Sequence, residues 1–176
     1  MNYIYHWVPK DLRGNILFPL NILKDTQPDL YEKEAGKYVG REFVMQQRIP
    51  VLDCLWNDVL HFSSVHPSHI KEALIEAGKT PPVDMEFFEI DPHLLNPENT
   101  IVYLYKHITM ADKLKENNFT KYNPDEIKQY SSLPQETKDY YKETISQGKR
   151  PLLFHKVPHI LFKGSLDISN LKKVSW

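Results

Sequence analysis

A chain of 176 residues with 22 Lys and Arg against 23 Asp and Glu carries a formal charge of -1, so no global field gathers a polyanion, and nucleic-acid binding is neither indicated nor excluded. With 41% hydrophobic and 26% charged residues the composition is neither disordered nor membrane-embedded, and no apolar run approaches the roughly 20 residues of a spanning helix. The length suits one domain, 1–176, able to bury a core without staples. The single cysteine, Cys54, has no internal partner, and Lys10, Asp11 and Arg13 interrupt any secretory leader. Both point to a reducing cytoplasm, either the producing cell's own or that of a host to which the protein is delivered.

Taken in order, Asn2 to Val8 reads as a strand, since its tyrosines, Ile4 and Trp7 suit a pleated, buried surface and Pro9 ends it. A helix follows from about Pro28 to Val39, with Pro in its first turn, Asp29 and Glu32 at its positive end and Gly40 beyond it. The polar stretch Arg41 to Arg48 can continue as helix before Pro50 stops it. Leu55 to Phe62 alternates without a clean apolar face and reads as a strand buried on both sides. Pro67 starts a helix whose Ile70, Ala73, Leu74 and Ala77 form one stripe, closed by Gly78.

Strands are expected at Met85 to Asp91 and Thr100 to Tyr105, separated by Asp91-Pro92 and Asn96-Pro97. Thr109 with Asp112, and Asn123-Pro124 with Glu126, read as caps of two short helices, and a third runs from about Pro134 to Gln147 before Gly148. Together they form a helical insertion at about 109–148. Pro151 to Phe154, His159 to Lys163 and Leu171 to Val174 complete the chain as short strands. Strands at both ends around helices predict an α+β domain.

Three segments carry a possible chemistry: Tyr5-His6-Trp7 running on to Asn15-Ile16-Leu17, Arg48-Ile49-Pro50 leading to Asn57-Asp58-Val59-Leu60-His61-Phe62-Ser63-Ser64, and Pro158-His159-Ile160-Leu161-Phe162-Lys163-Gly164. In that order they resemble the skeleton of small ADP-ribosyltransferases, and most closely their DNA-modifying toxin branch. The resemblance covers about a third of the chain and is absent from the helical insertion. It implies a split, mainly antiparallel β core flanked by helices, with NAD as substrate and a macromolecular acceptor that is protein or nucleic acid. It also implies that His6 donates hydrogen bonds that orient NAD, with Asn15 as a further amide donor. Arg48, or else Arg41, would fork onto the pyrophosphate or activate the acceptor, and Ser63 would support the ribose.

Each residue has a plainer reading as well. His6 can be a half-buried strand residue satisfied by backbone, and Asn15 a turn residue after Gly14. Arg41 can cap the negative end of a helix, and Ser63, Ser64 and His66 can cap the helix that begins at Pro67. The late strand departs from the family, which carries a Glu where this chain has His159. Breaking the nicotinamide–ribose bond develops positive charge at the ribose carbon, and a neutral imidazole offers a base but no fixed negative charge. Three outcomes stay open: another acid such as Glu86, Glu89 or Asp167 serves, the chain binds NAD or ADP-ribose without turnover, or His159 does the base chemistry.

Metal chemistry is not expected. His61, His66 and His69, or His155 with His159, form no ligand motif, and the chain lacks HExxH and CxxC. Six glycines make no phosphate loop, which argues against a nucleoside triphosphatase or a Rossmann dehydrogenase. The sequence therefore predicts NAD-dependent transfer of ADP-ribose, with a non-catalytic nucleotide- or protein-binding module as the alternative. An immunity or regulatory protein that uses Tyr103, Tyr105, Tyr140 and Tyr141 is one form of that alternative.

Overall fold

Strand β1 (Ile4–Trp7) forms where the first tyrosines and Ile4 were expected to pleat, and Ile4 is 0% exposed. It is followed by β2 (Ile16–Leu17), α1 (Leu20–Thr26), α2 (Pro28–Ala35), α3 (Glu42–Met45), β3 (Arg48–Ile49) and β4 (Cys54–Leu55). Next come β5 (Leu60–Phe62), α4 (Pro67–Glu76), β6 (Glu86–Ile90), β7 (Thr100–Tyr103) and β8 (Phe119–Lys121). Helix α5 (Gln135–Ser146) and strands β9 (His159–Phe162), β10 (Leu166–Asp167) and β11 (Lys172–Ser175) close the chain. The computed structural model describes residues 2–82, 84–105 and 113–176. The expected cap at Thr109 and Asp112, and the start of the expected insertion, lie outside them.

Two antiparallel sheets carry the fold, a single α+β domain. One has the order β1-β6-β11, with Ile4 opposite Ile90 and Lys172 opposite Glu89. The other has the order β5-β9-β7-β8, with Phe62 opposite Ile160 and Tyr103 opposite His159. They meet at one point, where Tyr5 and Ser63 exchange two backbone hydrogen bonds of 2.7 and 3.1 Å. Ile4, Leu60, Phe62, Phe88, Ile90, Val102 and Ile160 make one continuous core around that junction. Helices α4 and α5 pack over a second core holding Tyr5, Phe87, Tyr141 and Trp176, and a third lies on the opposite face of the β5–β9–β7 sheet around Ile101, Tyr103 and Leu161. Because opposite residues of an antiparallel pair share a face, Tyr103, His159, Leu161 and His61 all project on this third side.

Local chemistry explains where the elements depart from the expected ones. The strand expected over Leu55 to Phe62 is broken by a 3-10 turn, Trp56–Asp58. The Asp58 carboxylate accepts from the Leu55 N–H at 2.7 Å and from Asn21 Nδ2 at 2.7 Å, so the turn outcompetes the ladder and is tied to α1. Pro151 to Phe154 is not a strand either. Its backbone is bonded by tyrosines of α5: Leu152 N–H donates to Tyr140 Oη at 3.0 Å, and Tyr141 Oη donates to the Leu153 carbonyl. The 109–148 segment is also not wholly helical, since it supplies β8 to the sheet edge, with Tyr103 opposite Phe119.

The helix beginning at Pro67 forms as expected, with His66 Nδ1 accepting from the Ser68 N–H at its N-terminus and Gly78 at φ +88° past its end. Among the described residues no helix is long and apolar enough to cross a membrane. Ile4→Ala should cost about 2–5 kcal/mol of unfolding free energy, since it empties the junction of the two sheets. Urea denaturation measures this as a lowered midpoint with an unchanged slope.

Candidate functional site

A cavity of about 690 Å³ lies between the segment running from β1 through α3 and the third-core side of the β5–β9–β7 sheet. This falls within the roughly 300–1,000 Å³ of small-molecule sites. Its described lining includes four imidazoles, those of His6, His61, His155 and His159, set among Trp56, Tyr103 and Tyr105. The register of the strands brings these rings together. His159 lies opposite Tyr103, while the Trp56 ring packs 4.8 Å from that of His61 and 6.3 Å from that of His159.

Three of the imidazoles have defined tautomers. His6 Nδ1 lies 2.6 Å from the Trp7 carbonyl oxygen, His159 Nδ1 lies 2.6 Å from that of Val157, and His61 Nε2 lies 2.9 Å from that of Trp56. A carbonyl oxygen only accepts, so the bonded nitrogen carries the proton and the other nitrogen of each ring is an acceptor. This corrects the expectation that His6 donates to a ligand, because its N–H is already engaged by backbone. Burial holds all three rings neutral, lowering His6 and His159 to about 4 and His61 to about 3, with the neighbouring His159 adding to the shift at His61. His155 is lowered by the same cause. Its Nδ1 is hydrogen-bonded to Tyr105 Oη at 3.0 Å, its carbonyl accepts from Thr137 Oγ1 at 2.9 Å, and its ring packs 4.1 Å from that of Tyr140.

Charge is confined to the α1–α3 side of the lining. Arg13, Lys37 and Arg41 supply cations, and Glu34 is the one carboxylate among the described lining residues. Lys37 is paired with Glu34 and sits 4.9 Å above the Trp7 ring. Arg41 donates to the Lys37 carbonyl at 2.9 Å and stacks 5.7 Å from the Tyr38 ring, the helix-end contact weighed for it in the sequence. Two lining residues, Asn57 and Gln27, each hold a buried polar atom, Nδ2 and Oε1, with no hydrogen-bond partner among the described residues. Leaving such a group unsatisfied costs about 1–3 kcal/mol; in the sequence Asn57 was only the first residue of the central segment, with no role assigned, and Gln27 was not singled out.

Of the residues the sequence singled out, His6, His159 and Arg41 therefore share one cavity, while Ser63, Asn15 and Arg48 lie off it. Ser63 is 4% exposed, and its Oγ accepts from the Val65 N–H at 3.1 Å, the local turn contact that competes with a ligand role. Asn15 is exposed and offers its backbone carbonyl to Ile168. Arg48 is exposed and ion-paired with Asp53, which sits at φ +47° and closes the β3–β4 hairpin. The acids considered as substitutes also lie elsewhere: Glu89 pairs with Lys172, Glu86 with Lys173, and Asp167 accepts from Ser169. Cys54 is buried, which pushes its thiol up. No group of three or more His, Cys, Asp or Glu side chains among the described residues is arranged to hold a metal ion.

Compared with family models, with curated proteins and with solved structures, the chain has no match in any of the three.

The neutral imidazoles make stability pH-dependent with a definite sign. The unfolded chain takes up protons near 6.5 while the folded cavity resists them down to about 4, so stability present above pH 6.5 is lost as pH falls through that interval. The loss is on the order of 1 kcal/mol per pH unit for each imidazole. Urea midpoints should fall accordingly between pH 6.5 and about 4, and His61→Gln should lessen the fall. A variant with the same pH slope as the parent would show that His61 does not contribute.

Proposed function

We propose that this chain is an ADP-ribosyltransferase-like protein that binds NAD in the cavity and transfers ADP-ribose to a macromolecular acceptor. The observation that carries the reading is the set of imidazoles whose N–H groups are tied to carbonyls, so that His6, His61 and His159 offer acceptor lone pairs in one pocket. Acceptors without charge suit hydroxyl donors, and a ribose presents several of them. Support also comes from the cavity volume, from the two antiparallel sheets whose strands β1, β5 and β9 bring His6, His61 and His159 to it, and from Arg41 and Lys37 in its lining, where a pyrophosphate can be neutralised. The cytoplasmic setting, the cell's own or a host's, belongs to the same proposal.

The step balances as follows. The bond from ribose C1′ to the nicotinamide nitrogen breaks, and nicotinamide leaves with the electron pair as a neutral ring. The acceptor's lone pair forms the new bond at C1′, and its proton passes to His159 Nε2, which the Val157 contact leaves as the basic nitrogen. Glu34 is the carboxylate available in the described lining to oppose the positive charge developing at C1′.

One observation favours the second reading, a module that binds the nucleotide without turnover. The β9 imidazole, for which the resemblance would expect an acid, is kept neutral by burial, and Glu34 is already paired with Lys37. A single pair of measurements separates the two. Wild-type protein should melt at higher temperature with NAD and release nicotinamide slowly with water as acceptor. His159→Gln, which keeps an acceptor but cannot take the proton, should bind and release at least tenfold more slowly. Binding without release by wild type favours the module, and no binding at millimolar NAD rejects both.

A further inference from the structure

The segment from α1 through α3 stands over the cavity with little of its own surface buried. Of the described residues in its helices Leu30 alone is buried, since α1, the 3-10 turn Gly36–Tyr38 and α3 bury none. Helices of seven, eight and four residues fall well short of the roughly 12–15 at which a helix stands alone in water, so they depend on what they pack against. On the inner side that is the cavity itself, where Leu20, Leu23, Phe43 and Val44 are half-buried lining residues with apolar surface still to cover. Both ends of the segment are anchored. Leu17 is 4% exposed and paired with Leu166 across β2 and β10, and Ile49 is 0% exposed and paired with Cys54 in the β3–β4 hairpin. The ties that cross from its middle are weaker. Exposed ion pairs of Asp29 with Arg13 and of Lys33 with Asp11 are screened by solvent, Lys37 sits 4.9 Å above the Trp7 ring, and Asn21 Nδ2 donates to Asp58 at 2.7 Å.

We propose that residues 19–47 form a lid that swings as one unit on its ends at Pro19 and Gln47 and closes over NAD in the cavity. The closed form rests on the NAD reading above and deepens it, whereas the swing is a property of the chain alone. The charges of the segment make closure depend on the ligand. Lys37 is paired with Glu34, and Arg41 donates to the Lys37 carbonyl, so these cations have partners on the same segment and travel with it. His6, His61 and His159 stay on strands β1, β5 and β9. An occupant whose pyrophosphate meets the lid's cations while its ribose meets the imidazoles touches both walls at once, and that difference in contacts favours the closed form. Closing also covers the half-buried apolar side chains of the lid and excludes water, which would otherwise compete with a macromolecular acceptor.

The test is amide hydrogen exchange of the whole chain, read by mass spectrometry, with helix α4 and its buried Pro67, Ile70, Ala73 and Leu74 as internal reference. Without ligand the amides of α1, α2 and α3 should exchange roughly tenfold or more faster than those of α4, and with one common dependence on urea, the mark of a single opening. NAD at about ten times its Kd should slow them about tenfold and leave α4 unchanged. Asn21→Ala, which removes the bond to Asp58, should speed all three helices together by about tenfold. Exchange as slow as that of α4, or an effect of Asn21→Ala on α1 alone, overturns the lid. If Asn21→Ala speeds α4 as well, the wild-type comparison and its response to NAD decide alone. NAD that raises the melting temperature without slowing exchange in 19–47 overturns closure and leaves the NAD reading standing. NAD that does neither overturns closure and the NAD reading together.

Discussion

The exchange of two backbone hydrogen bonds between Tyr5 and Ser63 is the constraint on which the architecture turns. It joins the edge strand of one sheet to the edge strand of the other at a single residue pair. Beyond that point the sheets separate, and β1 and β5 carry His6 and His61 to the same cavity. A longer ladder would make one continuous sheet and leave no such space. The buried side chains at the junction, Ile4, Phe62 and Phe88 among them, keep the short connection from sliding.

Much of this was legible in the sequence. The β-rich start, the helix from Pro67 to Gly78 and the late strand at His159 follow from pleat-compatible residues, an apolar stripe and turn residues. What was not legible depends on bonds between distant residues. The turn at Trp56 to Asp58 looks like a strand until Asn21 and Asp58 meet across 37 residues. The stretch from Pro151 looks like a strand until two tyrosines of α5 take its backbone groups. At the site, His6, His159 and Arg41 could be singled out as ring and charge on expected elements. Ser63 and Arg48 have local partners, Val65 N–H and Asp53, that sequence spacing alone does not rank above a ligand. That the Asn57 and Gln27 amides are left unsatisfied has no signal in the sequence, since an unsatisfied atom is defined by what fails to approach it.

The cavity divides its labour by solvation. On the sheet side, burial keeps imidazoles uncharged, and backbone carbonyls fix which nitrogen is free, so the wall is polar without carrying a field. On the helical side, guanidinium and ammonium groups stay close to solvent and to their carboxylate or carbonyl partners. A ligand with an uncharged sugar or amide portion and an anionic portion would find complementary surroundings for both.

His155 ties the cavity wall to a helix that contributes nothing to the lining. Its carbonyl is held by Thr137, its ring lies on Tyr140, and the preceding backbone is gripped by Tyr140 and Tyr141, all on α5. Wall and helix are thus mechanically one piece. An occupant that pushed His155 aside would shift α5 with it, so the outer surface of that helix can report whether the interior is filled.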